Sequence, residues 1–244
     1  MPKLWALGTT PAHKAACRLL ETAYSITDSL EPGIAGVLLD VPSFRGPLLT
    51  PEALLSQLPA GTAIIGGNLT PVKDKGHPLL DLLADPEYAA KNADITARCA
   101  IRLACGRLER TLNGLPVLGI GWGRIGKCLA KHLRALDARV TVYARQPKDR
   151  AMLAALGYRV LPDGPENCDL THFRLIFNTA PAPMLSEEKT TALDFCLLFD
   201  LASTPGMAGE RVITARGLPG LLAPESSGQL IAQTVQKLWK GEML

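Results

Sequence analysis

The segment LPVLGIGWGRIGKCLA at 115–130 restricts the fold of this chain more than any other. Val117, Leu118 and Ile120 form a short apolar run, glycines follow at 121, 123 and 126, and Ile125, Leu129, Leu133 and Leu136 then recur at helical spacing. A buried strand that passes through a glycine turn into an amphipathic helix opens a βαβ unit. Each glycine answers a separate demand: Gly121 the tight turn, Gly123 close approach of a pyrophosphate, Gly126 close packing of helix on strand. The free amides of the first helical turn, at the positive end of the helix dipole, then hold the phosphates. Trp122, Arg124 and Ile125 stand between the glycines, where backbone N–H groups rather than side chains are expected to bind. Glycines at this spacing also serve turns without a ligand, so the flanking strand and helix carry the inference.

A second strand is predicted at 138–143. A fold that prefers NAD places an acidic residue about 20 positions beyond the glycines, on the ribose 2′-OH. This chain instead continues Tyr143, Ala144, Arg145, Gln146, Pro147, Lys148, Asp149, Arg150. Without a carboxylate at the strand end, and with Ala144, Arg145 and Lys148 following it and Arg150 in reach, the site suits a 2′-phosphate. NADP(H) is the expected cofactor.

At 244 residues and 47% hydrophobic content, the chain can bury two cores. A net charge of +3, spread along the sequence, gives no footprint for nucleic acid or an anionic membrane. The cysteines at 17, 99, 105, 128, 168 and 196 form no CxxC pair, and His13, His77, His132 and His172 stand at no ligand spacing. Reduced cysteines and no metal are therefore expected. With neither a leader-like apolar core nor an apolar run of about 18 residues, a cytoplasmic protein is expected.

The pattern along the chain predicts an α/β protein of two domains, each a parallel sheet flanked by helices, the second a Rossmann dinucleotide-binding domain. In the first domain, at 1–90, strands are predicted at 3–7, 35–41 and 62–65 and helices at 12–24 and 51–58. A connecting helix takes up 91–113, with its apolar stripe at Ile95, Cys99, Leu103 and Leu108, and Asn113-Gly114 stops it. The Rossmann domain runs over 114–224, with later strands at 158–161, 175–178, 196–201 and 212–215 and a helix at 147–156. A last helix within 225–244 is expected to pack back on the first domain. Ligands of such sheets bind at the carboxyl ends of strands. Asn178, Thr179, Ala180, Pro181, Leu201, Ala202 and Pro219 are therefore expected around the cofactor. Ser203 and Thr204, with Asn92 and Thr96 one helical turn apart, are candidates for the substrate. The segment Gly66-Gly67-Asn68-Leu69-Thr70-Pro71 reads equally as a ligand-lining loop or a structural turn.

The ordered set LGIGWGRIG at 118–126, Asn178-Thr179-Ala180-Pro181, Asp200-Leu201-Ala202-Ser203 with Pro205-Gly206, and GLPGLLAP at 217–224 with Gly228-Gln229 resembles the A subunit of bacterial dipicolinate synthase, over about residues 88–240. The resemblance implies a cytoplasmic, sporulation-associated oxidoreductase subunit that works with a flavoprotein-like B subunit. It also implies the reaction: NADP+-dependent oxidation of a hydroxy-tetrahydrodipicolinate, or its dihydro form, to pyridine-2,6-dicarboxylate. The substrate would be a small dicarboxylate, and a homo-oligomer is compatible with the reading. The sequence departs from the family pattern at Thr96-Ala97-Arg98-Cys99, where Thr-x-Glu-Gly is expected, and at Thr204, where an arginine is expected. Those departures keep two alternatives open: an NADP-binding module without catalysis, and an oxidoreductase for another small carboxylic acid. No general base is assigned. The Arg, Glu and His of a 2-hydroxy-acid dehydrogenase and the Lys–Asp pair of a shikimate-type enzyme are not visible.

Overall fold

A computed structural model describes residues 1–44 and 49–242. Its elements in chain order begin with β1 (Lys3–Leu7), α1 (Pro11–Leu20), β2 (Ser25–Thr27), β3 (Ile34–Leu39), α2 (Pro51–Leu55), β4 (Ala63–Gly66), β5 (Leu79–Asp81) and α3 (Pro86–Cys105). There follow β6 (Pro116–Ile120), α4 (Arg124–Ala135), β7 (Arg139–Tyr143), α5 (Pro147–Ala155), β8 (Arg159–Val160), β9 (Leu175–Asn178), α6 (Glu187–Thr191), β10 (Leu197–Asp200), β11 (Val212–Thr214), α7 (Leu218–Leu222) and α8 (Pro224–Glu242). They form two compact units, one of residues 1–95 with 219–244, the other of 96–218. Among the described residues no helix is long and apolar enough to cross a membrane.

The first unit holds a parallel sheet in the order β2-β1-β3-β4-β5. Alternate side chains of a strand point to opposite faces, and the two cores divide accordingly. Leu4, Leu38 and Ile65 pack with Leu20 of α1 and with Leu230, Ile231, Val235 and Trp239 of α8. Trp5, Val37, Leu39 and Ile64 pack on the other side with Leu54 of α2. Small residues let α8 come close. Gly36 of β3 faces the Trp239 ring, and Gly228 lies so near α1 that an added Cβ would stand 2.5 Å from that of Ala15 and 2.8 Å from the Ala12 carbonyl oxygen.

Strands β2 and β5 have no counterpart in the sequence reading. Each is three residues long and largely half-buried, too short to show an alternating pattern. The connecting helix also differs: it starts at Pro86 and ends at Cys105, ahead of Gly106. Leu112, expected near its end, is buried in a turn beyond it. Spacing alone cannot tell a buried turn residue from the next step of a helical stripe.

The second unit is a six-stranded parallel sheet in the order β11-β10-β9-β6-β7-β8. From the β8 edge this is the doubly wound dinucleotide-binding order, and it reverses between β6 and β9. Leu118, Ile120, Ile176 and Leu198 build one core with Phe173 and Leu185. On the strands β9 and β10, Phe177 and Phe199 stack at 5.4 Å between ring centroids.

Gly228→Leu forces a side chain into the α1–α8 contact. Overpacking of this kind costs about 1–3 kcal/mol, so chemical denaturation followed by circular dichroism is expected to show a lowered midpoint. An unchanged midpoint would show that α8 does not seat there.

Candidate dinucleotide site in the second unit

Strand β6 delivers the chain to the switch point, and the glycines there divide into two kinds. Gly121 has φ +105, a conformation that side chains rarely adopt, and an added Cβ would stand 2.5 Å from Thr179 Oγ1. Gly126 lies against the Gly121 carbonyl and 3.1 Å, by its built Cβ, from the same hydroxyl. The fold itself needs both. Gly123 is different: its φ is −76, and an added Cβ would meet nothing within 4 Å. Nothing in the packing of the described residues asks for glycine at 123. Gly123 also caps α4 without a side-chain hydrogen bond, and no acidic residue stands in the first turn. The amides of that turn thus have no side-chain cap and no carboxylate within the turn, an arrangement that an anion can use.

The neighbouring strand ends fix this turn. The Gly121 amide donates to the Tyr143 carbonyl at 2.9 Å, which sets Ala144 and Arg145 beside the glycine turn. Ala144 is buried, whereas Arg145 and Lys148 are exposed. Arg150 instead braces the turn, donating to the carbonyls of Ala144 (3.1 Å) and Arg145 (2.8 Å). Thr179 donates from its hydroxyl to the Ile120 carbonyl at 3.0 Å, and its amide uses the same oxygen at 2.8 Å. The ring of Trp122 turns to Tyr158, edge-on at 5.6 Å, while Arg124 is exposed and Ile125 half-buried.

Several expected contacts prove to be braces. Asn178 is fully buried; its amide nitrogen donates to Asp200 Oδ1 (3.0 Å) and the Ala180 carbonyl (3.1 Å), and its oxygen accepts from the Ala180 amide. Its side chain therefore shapes the turn rather than reaching a ligand. Asp200 is buried as well, and accepts from the amides of Ala202 (3.0 Å), Gly206 (2.7 Å) and Met207 (3.1 Å). Leu201 and Ala202 turn their side chains inward, which leaves Ser203 and Thr204 exposed on the loop. A buried carboxylate with this many donors is the anchor of the whole loop. A polar residue at the end of an apolar strand is the available signal. Thr96 is buried in α3; Asn92 and Pro219 belong to the first unit.

The first unit has a switch point too, between β1 and β3, but a carboxylate already fills the role an anion would take. Asp40 accepts from the amides of Thr9 (3.0 Å) and Thr10 (3.1 Å) and from the Thr10 hydroxyl (2.6 Å), and Thr10 caps α1. In the 66–71 segment, Ser43 Oγ accepts from Gly67 and the Asp81 carboxylate from the amides of Asn68 and Leu69, so the segment is a structural turn. His13 donates from Nε2 to the Leu38 carbonyl at 3.0 Å, and burial holds it below the usual imidazole range. Cys17, whose Sγ lies 3.7 Å from His13 Nδ1, is pushed up to about 11 by burial. A neutral imidazole beside a protonated thiol is not an activated nucleophile.

Gly123 and Gly126 allow binding to be separated from folding. Gly123→Ala is expected to fold, with a change of about 1 kcal/mol at the helix cap, and to lose NADPH affinity by about tenfold or more in a fluorescence titration. Gly126→Ala is expected to lower the thermal midpoint as well. Equal NADPH affinity in Gly123→Ala and the parent would remove the phosphate from this turn.

No family model matches the chain. The A subunit of dipicolinate synthase from Bacillus subtilis is 29% identical over 169 residues, 66% of this chain and 57% of that protein. The match thus spans under two thirds of that relative's length. Among solved structures, the dipicolinate synthase A subunit from Bacillus halodurans superposes with a TM-score of 0.81 at 22% identity, covering 97% of each chain. Its Bacillus subtilis counterpart gives 0.78 at 24% identity, covering 98% of this chain and 96% of that one. Other solved structures, dehydrogenases among them, share the fold at lower similarity. In sequence over part of its length, and in fold over nearly all of it, this chain is similar to the A subunits of dipicolinate synthase.

Proposed function

We propose that the chain is an NADP(H)-dependent oxidoreductase subunit of the dipicolinate synthase type. In this reading it oxidises a hydroxy-tetrahydrodipicolinate, or its dihydro form, to pyridine-2,6-dicarboxylate in the cytoplasm, together with a flavoprotein-like B subunit. The observation that carries it is the bare backbone at Gly123, before an uncapped helix start, with Arg145 beside it and no carboxylate at the end of β7. The residues present fit the dinucleotide. The amides of the first turn of α4 would hold the pyrophosphate, and Arg145 the 2′-phosphate, with Lys148 on the exposed start of α5 adding charge. Bound NADP+ would supply a hydride acceptor: the dihydro ring becomes aromatic with loss of a hydride and a proton, and the hydroxy-tetrahydro form would lose water as well. The rest of the chain's contribution is positional. Asn178 and Asp200 hold the loops after β9 and β10 rigid, and the exposed Ser203 and Thr204 hydroxyls offer neutral hydrogen bonds to a substrate beside the cofactor.

A second reading, a cofactor-binding module without catalysis, draws on Thr204 and the 96–99 departures. The two separate in one assay. The intermediate, freshly made, is supplied with NADP+, with and without a B-type partner, and dipicolinate is followed. Product in either arm supports the oxidoreductase. Cofactor binding with no product in both arms favours the module.

Arg145→Ala tests the cofactor choice. Loss of a hydrogen-bonded charge costs about 1.5–3 kcal/mol, so NADPH affinity is expected to fall by about 10- to 100-fold while NADH affinity stays level. Equal loss for both dinucleotides would place Arg145 elsewhere.

A further inference from the structure

Arg216, which neither the cofactor turn nor its braces use, comes two residues after the end of β11. Thr214 is paired with Asp200, and the Ala215 amide donates to the Asp200 carbonyl at 2.8 Å. The chain thus leaves β11 level with the start of the β10 loop, and Arg216 comes next. Its Nε is buried and has no hydrogen-bond partner, and no described residue forms an ion pair or hydrogen bond with its guanidinium. Other arginines of this unit are engaged: Arg211 with Asp194, Arg174 with the Thr171 carbonyl, Arg139 with the Gly114 carbonyl. A guanidinium nitrogen taken out of water without a partner opposes folding. Proteins keep such groups where function needs them.

Its place in the sheet gives the need. Arg145 stands after β7, on one side of the switch point, and β9, β10 and β11 follow in order on the other. A dinucleotide with its 2′-phosphate at Arg145 crosses that point and presents its nicotinamide half toward β9 and β10. The substrate then sits on the side of the β10 and β11 loops. A guanidinium is a planar fork that matches a carboxylate in a two-point contact. We infer that Arg216 binds a carboxylate of the substrate, from just beyond the strand next to the one that carries the Ser203–Thr204 loop. This rests on the proposed function for the substrate class, a small dicarboxylate, and for the direction of the cofactor.

Arg216→Met keeps the aliphatic stem and removes the fork; Arg216→Lys keeps the charge alone. Each full-length protein, saturated with NADPH, is titrated calorimetrically with pyridine-2,6-dicarboxylate. Arg216→Met is expected to weaken the dianion by about 30-fold or more, Arg216→Lys by less, and both to hold NADPH within about twofold of the parent. The thermal midpoint of Arg216→Met is expected to stay level or rise, since no partner is lost. Dianion binding equal to the parent overturns the inference, as does a lowered midpoint with parallel loss of NADPH. A parent that binds NADPH but not the pyridine dianion refutes the substrate reading instead. The same proteins are then titrated with oxaloacetate, 2-oxoglutarate and citrate. Arg216 stands as a carboxylate clamp if one of these binds the parent and is lost in Arg216→Met, and falls if none shows that difference.

Discussion

The buried carboxylate of Asp200 sets the geometry on which the candidate site depends. A carboxylate removed from water is tolerated when donors surround it, and here they come from Asn178, Ala202, Gly206 and Met207. These donors lie on the loops after β9 and β10, so one side chain ties together two strand ends that local sequence would leave free. Asn178 passes the constraint on to the Ala180 turn, and Thr179 passes it to β6 through the Ile120 carbonyl. The glycine turn is thus held from the side by its neighbours.

The two units use the same device to opposite ends. At the first switch point Asp40 satisfies the amides of Thr9 and Thr10, and Thr10 caps α1. At the second, the acid is set back on β10 and α4 begins at a glycine with no cap. Two sheets of related design therefore differ in whether the helix start is closed by the protein's own oxygen atoms or left open. The difference rests on a few side chains, not on topology.

Much of this was legible in the sequence. Strands β1 and β9 lie where the apolar runs place them, because a fully or half-buried strand leaves a local pattern. The glycine turn was legible for the same reason, since the turn at Gly121 and the close packing at Gly126 act within six residues. What was not legible acts across the chain. Asn178 reads as a strand-end polar residue whether it faces a ligand or Asp200, 22 positions away. The 66–71 segment is settled by Ser43 and Asp81, and β2 and β5 are defined by neighbours rather than by their own residues. Arg216 carries no sequence signal; only the lack of a partner around it among the described residues draws notice.

The discontinuity of the first unit bears on the order in which the molecule is made. Leu4, Leu20 and Leu38 complete their core with Leu230, Ile231 and Trp239, which follow the entire second unit in the chain. On the ribosome, segments fold as units once all their parts have emerged. The residues translated first must therefore wait, with an apolar face uncovered, until α8 is synthesised. The second unit, contiguous over 96–218, has every strand it needs before then. The first unit is entered before the second, but the second can be finished before it.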